Sequence, residues 1–131
     1  MMRWGLAYAA TLLVLGVLDG VWLGYVARDF YRQEIGALMA EQVRKVPAVA
    51  FYLLYPVGLL ALALNPMPAD WKAALFRGAL VGLVAYATYD LTNLATLKQW
   101  SWRLAATDVA WGTFISASMA LAAFLVLNRS R

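Results

Sequence analysis

Cysteine and histidine are both absent from the 131 residues, and charged residues make up only 14% of them. The first absence excludes disulfides, thiolate nucleophiles and cysteine-held clusters; the second excludes histidine-ligated haem and histidine-rich di-iron sites. What remains is 64% apolar, with a mean hydropathy of +0.67, far from the roughly half-apolar, quarter-charged mix of soluble domains. The chain reads as an integral membrane protein. No polar stretch is long enough to bury a core of its own, so 1–131 is expected to form a single membrane domain. The net charge of +4 comes from basic residues that flank apolar segments singly or in pairs, where they meet lipid headgroups. Membrane lipids are therefore expected partners and nucleic acid is not.

Four apolar segments, at about 5–27, 48–64, 73–95 and 104–127, are expected to cross the bilayer as helices. The first contains Asp19 and lacks a small-residue cleavage pattern, so it reads as a retained span and not a signal peptide. Pro47 and the run Asn65-Pro66-Met67-Pro68 bound the second, since proline cannot continue a helix. Lys98, Gln99, Ser101 and Arg103 fall in a polar link before the fourth. Between the first two spans, at about 28–46, Phe30, Ile35, Leu38, Met39 and Val46 approximate one apolar face. That pattern predicts an amphipathic helix at the interface, serving as a lid or as a plain connection. The expected fold class is all-α: a four-helix membrane bundle with an interfacial helix between the first and second spans.

Orientation is not decided by charge. Arg3, Lys72, Arg77, Arg129 and Arg131 gather at the side of the termini, against Arg28, Arg32, Arg44, Lys45, Lys98 and Arg103 at the other. Two glycine stripes, Gly16/Gly20/Gly24 and Gly78/Gly82, allow close approach of helix backbones. Packing within the bundle is the first expectation for them, and a homodimer through one stripe is the alternative.

Three aspartates interrupt the apolar segments. Asp19 lies eight residues before Ala27, Asp90 five before Ala95 and Asp108 four after Leu104; with about 1.5 Å of rise per residue, all three fall toward the side of the long loop. An ionisable group at the centre of a bilayer costs about 2.5–3.5 kcal/mol on insertion scales, so three in one leaflet point to a site. Helical spacing gives each acid companions: Tyr86, Asp90 and Asn93 on the third span, Asp108, Trp111 and Gly112 on the fourth, Asp19 and Trp22 on the first. Tyr52 and Tyr55 on the second span reach a comparable depth, and Pro56 leaves the Tyr52 carbonyl without its helical donor.

The expected polar heart is thus Asp19, Asp90, Asn93 and Asp108, with Trp22, Tyr52, Tyr55, Tyr86 and Trp111 as walls. Such a set can bind or process a lipid or another membrane-soluble molecule. It can carry protons or cations in a transporter or accessory subunit, or hold a hard cation for a lipid-modifying enzyme through the same four polar residues. The purely structural alternative pairs Asp90 with Tyr52 or Trp22, Asp108 with its own helix terminus or Arg103, and Asp19 with Asn93. No cofactor is indicated by the residues, and whether the protein is an enzyme stays open.

The run Tyr86-Ala87-Thr88-Tyr89-Asp90-Leu91-Thr92-Asn93, followed by Lys98, Trp100 and Asp108-Val109-Ala110-Trp111-Gly112, resembles the signature of the bacterial membrane family DUF2177. Asp19 with Trp22-Leu23, and Phe51-Tyr52 with Gly58, resemble the same pattern. The resemblance covers essentially the whole chain. It implies a small multi-pass protein of a bacterial inner membrane and brings no reaction with it.

Overall fold

The structure is a computed structural model and describes residues 2–42 and 44–129; Arg131, one of the basic residues counted near the termini, lies outside the described residues. Helix α1 (Met2–Val21) runs without a break into a π-helical turn, Trp22–Val26. Helix α2 (Arg28–Ile35) follows, then one 3₁₀ turn, Gly36–Leu38. Helices α3 (Lys45–Ala63), α4 (Trp71–Thr96) and α5 (Trp102–Arg129) complete the chain. The chain is all-helical, as the apolar periodicity predicts. The α1–π segment, α3 and α5 are each long and apolar enough to cross a membrane. Helix α4 has 26 residues, about 39 Å of helix; its polar run from Tyr86 to Asn93, together with Lys72 and Arg77, lowers its hydropathy.

Local chemistry explains the boundaries. The Asp70 carboxylate accepts the Ala73 N–H at 2.8 Å and the Ser101 hydroxyl accepts the Leu104 N–H at 3.0 Å. Each satisfies a donor that the first turn of its helix leaves unpaired. The interfacial segment is helical over fewer residues than the apolar spacing suggests. Regular helix stops at Ile35, before Gly36, and past Leu38 the described chain is irregular until α3. Glycine is a poor helix former, so the apolar spacing of Leu38, Met39 and Val46 is not carried by one helix face.

The two glycine stripes behave differently. A Cβ at Gly78 would meet Ala120 and the backbone of Ser116, and one at Gly82 would meet the Gly112 carbonyl and the Ser116 side chain. Helices α4 and α5 therefore lie backbone to backbone, as small residues in membrane helices permit. Gly16, Gly20 and Gly24 have nothing within 4 Å of a built Cβ, which corrects the expectation that this stripe packs inside the bundle. The reason is angular. Helix α1 turns Ala7, Thr11, Leu15 and Asp19 inward, and Gly16 and Gly20 fall one residue later on each turn, on the outer side, while Gly24 in the π turn borders open cavity space.

We expect Gly82→Ala to destabilise the protein by about 1–3 kcal/mol, the usual cost of overpacking, and Gly20→Ala to change stability by less than about 0.5 kcal/mol. Thermal unfolding in detergent distinguishes them; equal effects would contradict the packing difference.

Apolar packing is concentrated at one end. Ala7, Leu15, Leu59, Leu60, Ala63, Leu64, Ala74 and, from α5, Ile115 to Leu127 form the core. These residues come from the start of α1 and α4 and the end of α3 and α5, so the core occupies the half of the bundle nearer the termini. The opposite half holds the aspartates.

A candidate intramembrane cavity and its carboxylate network

A cavity of about 820 Å³ opens in that opposite half. Asp19, Trp22, Tyr55, Tyr86, Asp108 and Trp111, all expected from the sequence, line it, and Arg28, Tyr31, Arg32, Tyr89 and Trp100 join them. Tyr52 stands behind Asp19 and is not part of the wall. Asp90 and Asn93 lie outside it too.

Asp19 is 6% exposed and anchors the first half of a polar network. Its Oδ1 accepts the Trp111 indole N–H at 3.0 Å, and its Oδ2 accepts the Tyr52 hydroxyl. The Trp111 ring stacks on Trp22, with centroids 4.4 Å apart and planes 7° from parallel. Trp22 Nε1 donates to the Tyr31 hydroxyl at 3.2 Å, and Tyr31 donates to Asp108 Oδ1 at 2.6 Å. Two carboxylates on different helices are thus joined through a stacked indole pair.

The π-helical turn makes that stacking geometrically available. In it the Ala27 N–H reaches back to the Trp22 carbonyl at 2.7 Å, which adds a residue to the turn before α2 begins. Such turns interrupt α-helices mostly where a side chain must be re-aimed. Here the turn begins at Trp22 and lets α2 fold over the cavity. Burial, reinforced by the hydrogen bond and charge of Asp108, holds the Tyr31 phenol well above the ordinary tyrosine range. Tyr31 therefore remains a neutral hydrogen-bond donor throughout the physiological range.

Asp90 is unlike the other two acids. It is fully buried, and neither of its carboxyl oxygens has a hydrogen-bond partner. Asp108 and the Trp100 indole lie beside it, and the buried Trp100 Nε1 is itself without an acceptor. Tyr89 packs edge-on against Trp100 with centroids 5.6 Å apart. Among the described residues no three acids come together as a metal-holding group; Asp19, Asp90, Asn93 and Asp108 do not form one cage. The pairings that a structural role would require are redistributed as well. Asp19 takes Tyr52 and Trp111, Asp108 takes Tyr31, and Arg103 lies over the Phe30 ring at 5.0 Å.

A family model described as "Predicted membrane protein (DUF2177)" matches residues 4–125. The chain belongs to the DUF2177 family. This DUF2177 protein is also similar to two relatives named as fluoride-specific ion channel FluC. One, from Thermococcus gammatolerans, is 30% identical over 104 residues, which covers 79% of this chain and 77% of the relative. The other, from Thermococcus onnurineus, is 24% identical over 115 residues, covering 88% and 89%. No solved structure matches.

In the DUF2177 protein several site residues lie where no periodic pattern marks them. Tyr31, Arg28 and Arg32 belong to a short amphipathic helix whose charges look solvated in sequence. Their part in the cavity depends on the fold-back after the π turn. Trp100, which enters the sequence reading through the family signature, lies beside Asp90 because it sits in the link between α4 and α5. The amphipathic pattern of 28–46, read as a lid or a connection, and the tyrosines and tryptophans near the acids are the signals that point toward them.

Proposed function

We propose that this multi-pass membrane protein moves a small ion across the bilayer, with fluoride accompanied by protons as the first ion to test. The observation that carries the reading is the joined donor network around Asp19 and Asp108 inside the membrane bundle. Phenol and indole groups that satisfy a carboxylate can satisfy a small anion with the same geometry. A bare carboxylate repels an anion, so occupancy by fluoride requires the acid to take up a proton, which couples the two ions. Arg28 and Arg32 at the cavity raise the local concentration of anions. The similarity to proteins named as fluoride channels adds independent weight. As those relatives are archaeal, the membrane we assign is a prokaryotic cytoplasmic membrane, wider than the bacterial inner membrane that the signature implies.

Purified protein in liposomes loaded with potassium fluoride, assayed with and without a potassium ionophore that balances fluoride leaving without a proton, gives the test. Fluoride release measured by electrode should exceed that of protein-free liposomes severalfold and should alter internal pH. Release of fluoride, chloride and protons indistinguishable from empty liposomes would overturn the reading.

One observation favours a second reading, binding of a membrane-soluble molecule. The cavity, at about 820 Å³, falls within the range of small-molecule pockets and far exceeds the volume of a bare ion. Trp22, Tyr55, Tyr86 and Trp111 would be its walls. The enzymatic readings draw less support, because a hard-cation centre asks for several oxygen ligands brought together. The outward glycines Gly16 and Gly20, the exposed part of the Gly16/Gly20/Gly24 stripe, form the surface we assign to a homodimer.

A further inference from the structure

Arg28 and Arg32 are four residues apart on α2, share one face of it, and both line the cavity. Neither forms an ion pair or hydrogen bond among the described residues, although α2 carries two acids of its own. Glu34 instead accepts the Ser101 hydroxyl. Arg103 covers Phe30, Arg77 donates to the carbonyls of Ala63 and Pro66, and Arg44, exposed at the same end, is not part of the cavity wall. Next to the two unpaired guanidinium groups the cavity margin is apolar and open, with Leu23 45%, Met39 48% and Phe51 41% exposed. Helix α2 begins directly after the first span, which sets the arginines at headgroup depth and the apolar margin beside the acyl chains.

We propose that this cavity binds a phosphate-bearing lipid, its anionic headgroup held between Arg28 and Arg32 and the upper part of its chain lying along Leu23, Met39 and Phe51. Guanidinium groups match phosphate oxygens with paired N–H donors. The open apolar margin supplies what a free phosphate ion would leave uncovered. The proposal rests on the second reading above, that a membrane-soluble molecule occupies the cavity, and it names the chemical class.

The experiment is native mass spectrometry of full-length protein exchanged into mixed micelles holding equal amounts of phosphatidylglycerol and phosphatidylcholine. Wild type should retain one phosphatidylglycerol in preference to phosphatidylcholine by about tenfold. Arg28→Gln/Arg32→Gln should lose that preference, and Lys98→Gln, which changes a cation at the same end outside the cavity, should keep it. Near-ultraviolet circular dichroism of the stacked Trp22–Trp111 pair verifies that the double variant is folded. Equal retention of the two lipids by wild type, or a preference that survives the double substitution, overturns the headgroup assignment while leaving a membrane-soluble ligand in place. Retention of neither lipid overturns both. If millimolar inorganic phosphate displaces the lipid and binds alone in the same arginine-dependent way, the ligand is free phosphate and the lipid assignment fails.

Discussion

Replacement of Asp19 by alanine is expected to lower stability by about 2–6 kcal/mol, because it strips the acceptor from two donors at once and each stranded buried donor costs about 1–3 kcal/mol. Those donors are the Tyr52 hydroxyl and the Trp111 indole, on α3 and α5, so the change loosens the contact of α1 with both partners. Asp19→Asn separates charge from hydrogen bonding. Its carbonyl oxygen retains one acceptor and its amide can donate to the tyrosine oxygen, which limits the loss to about 1 kcal/mol. Ion flux should respond in the opposite proportion. If Asp19 carries a proton during the cycle, the mild asparagine variant should lose flux at least tenfold, equivalent to about 1.4 kcal/mol on the limiting step. Unfolding and flux measured on the same two variants decide the matter: asparagine with full flux would reduce Asp19 to a structural bracket between helices.

The contrast between Asp19 and its neighbours also shows what sequence can carry. Depth along a helix is a one-dimensional quantity, so counting from span ends suffices to place three acids in one leaflet, and periodicity suffices to put Trp22 near Asp19 and Trp111 near Asp108. Partner choice is three-dimensional. Which carboxylate Tyr52 meets depends on how α3 leans on α1, and the crosswise arrangement, with Trp111 reaching Asp19 instead of Asp108, follows from the stacking of two indoles. The role of Gly78 and Gly82 was legible in their spacing. That of Gly16, Gly20 and Gly24 was not, because the same spacing fits any face of a helix and only the buried line from Ala7 to Asp19 decides which face turns inward. The family signature covers the residues around Asp90 and Asp108, yet it gives no hint of Tyr31, whose contact with Asp108 spans 77 positions of chain.

Asp90→Val is expected to stabilise the protein while abolishing ion movement. A fully buried carboxyl whose oxygens make no well-formed hydrogen bond opposes folding, since its polar neighbours, Asp108 and the Trp100 indole, return little of the hydration lost. Exchange of buried ionic groups for apolar residues of similar volume is commonly neutral or stabilising by about 1–4 kcal/mol, and valine adds little volume. Stability alone would therefore favour an apolar residue at this position. A costly acid kept beside a second acid fits a proton or ion path, because intramembrane carboxyl groups mark such paths. The valine variant should melt higher in detergent than wild type and show fluoride and proton flux no greater than empty liposomes. Lower stability in that variant would mean that the carboxyl of Asp90 is a structural hydrogen-bonding group. Full flux with raised stability would place the path of the ion through Asp19 and Asp108 without Asp90.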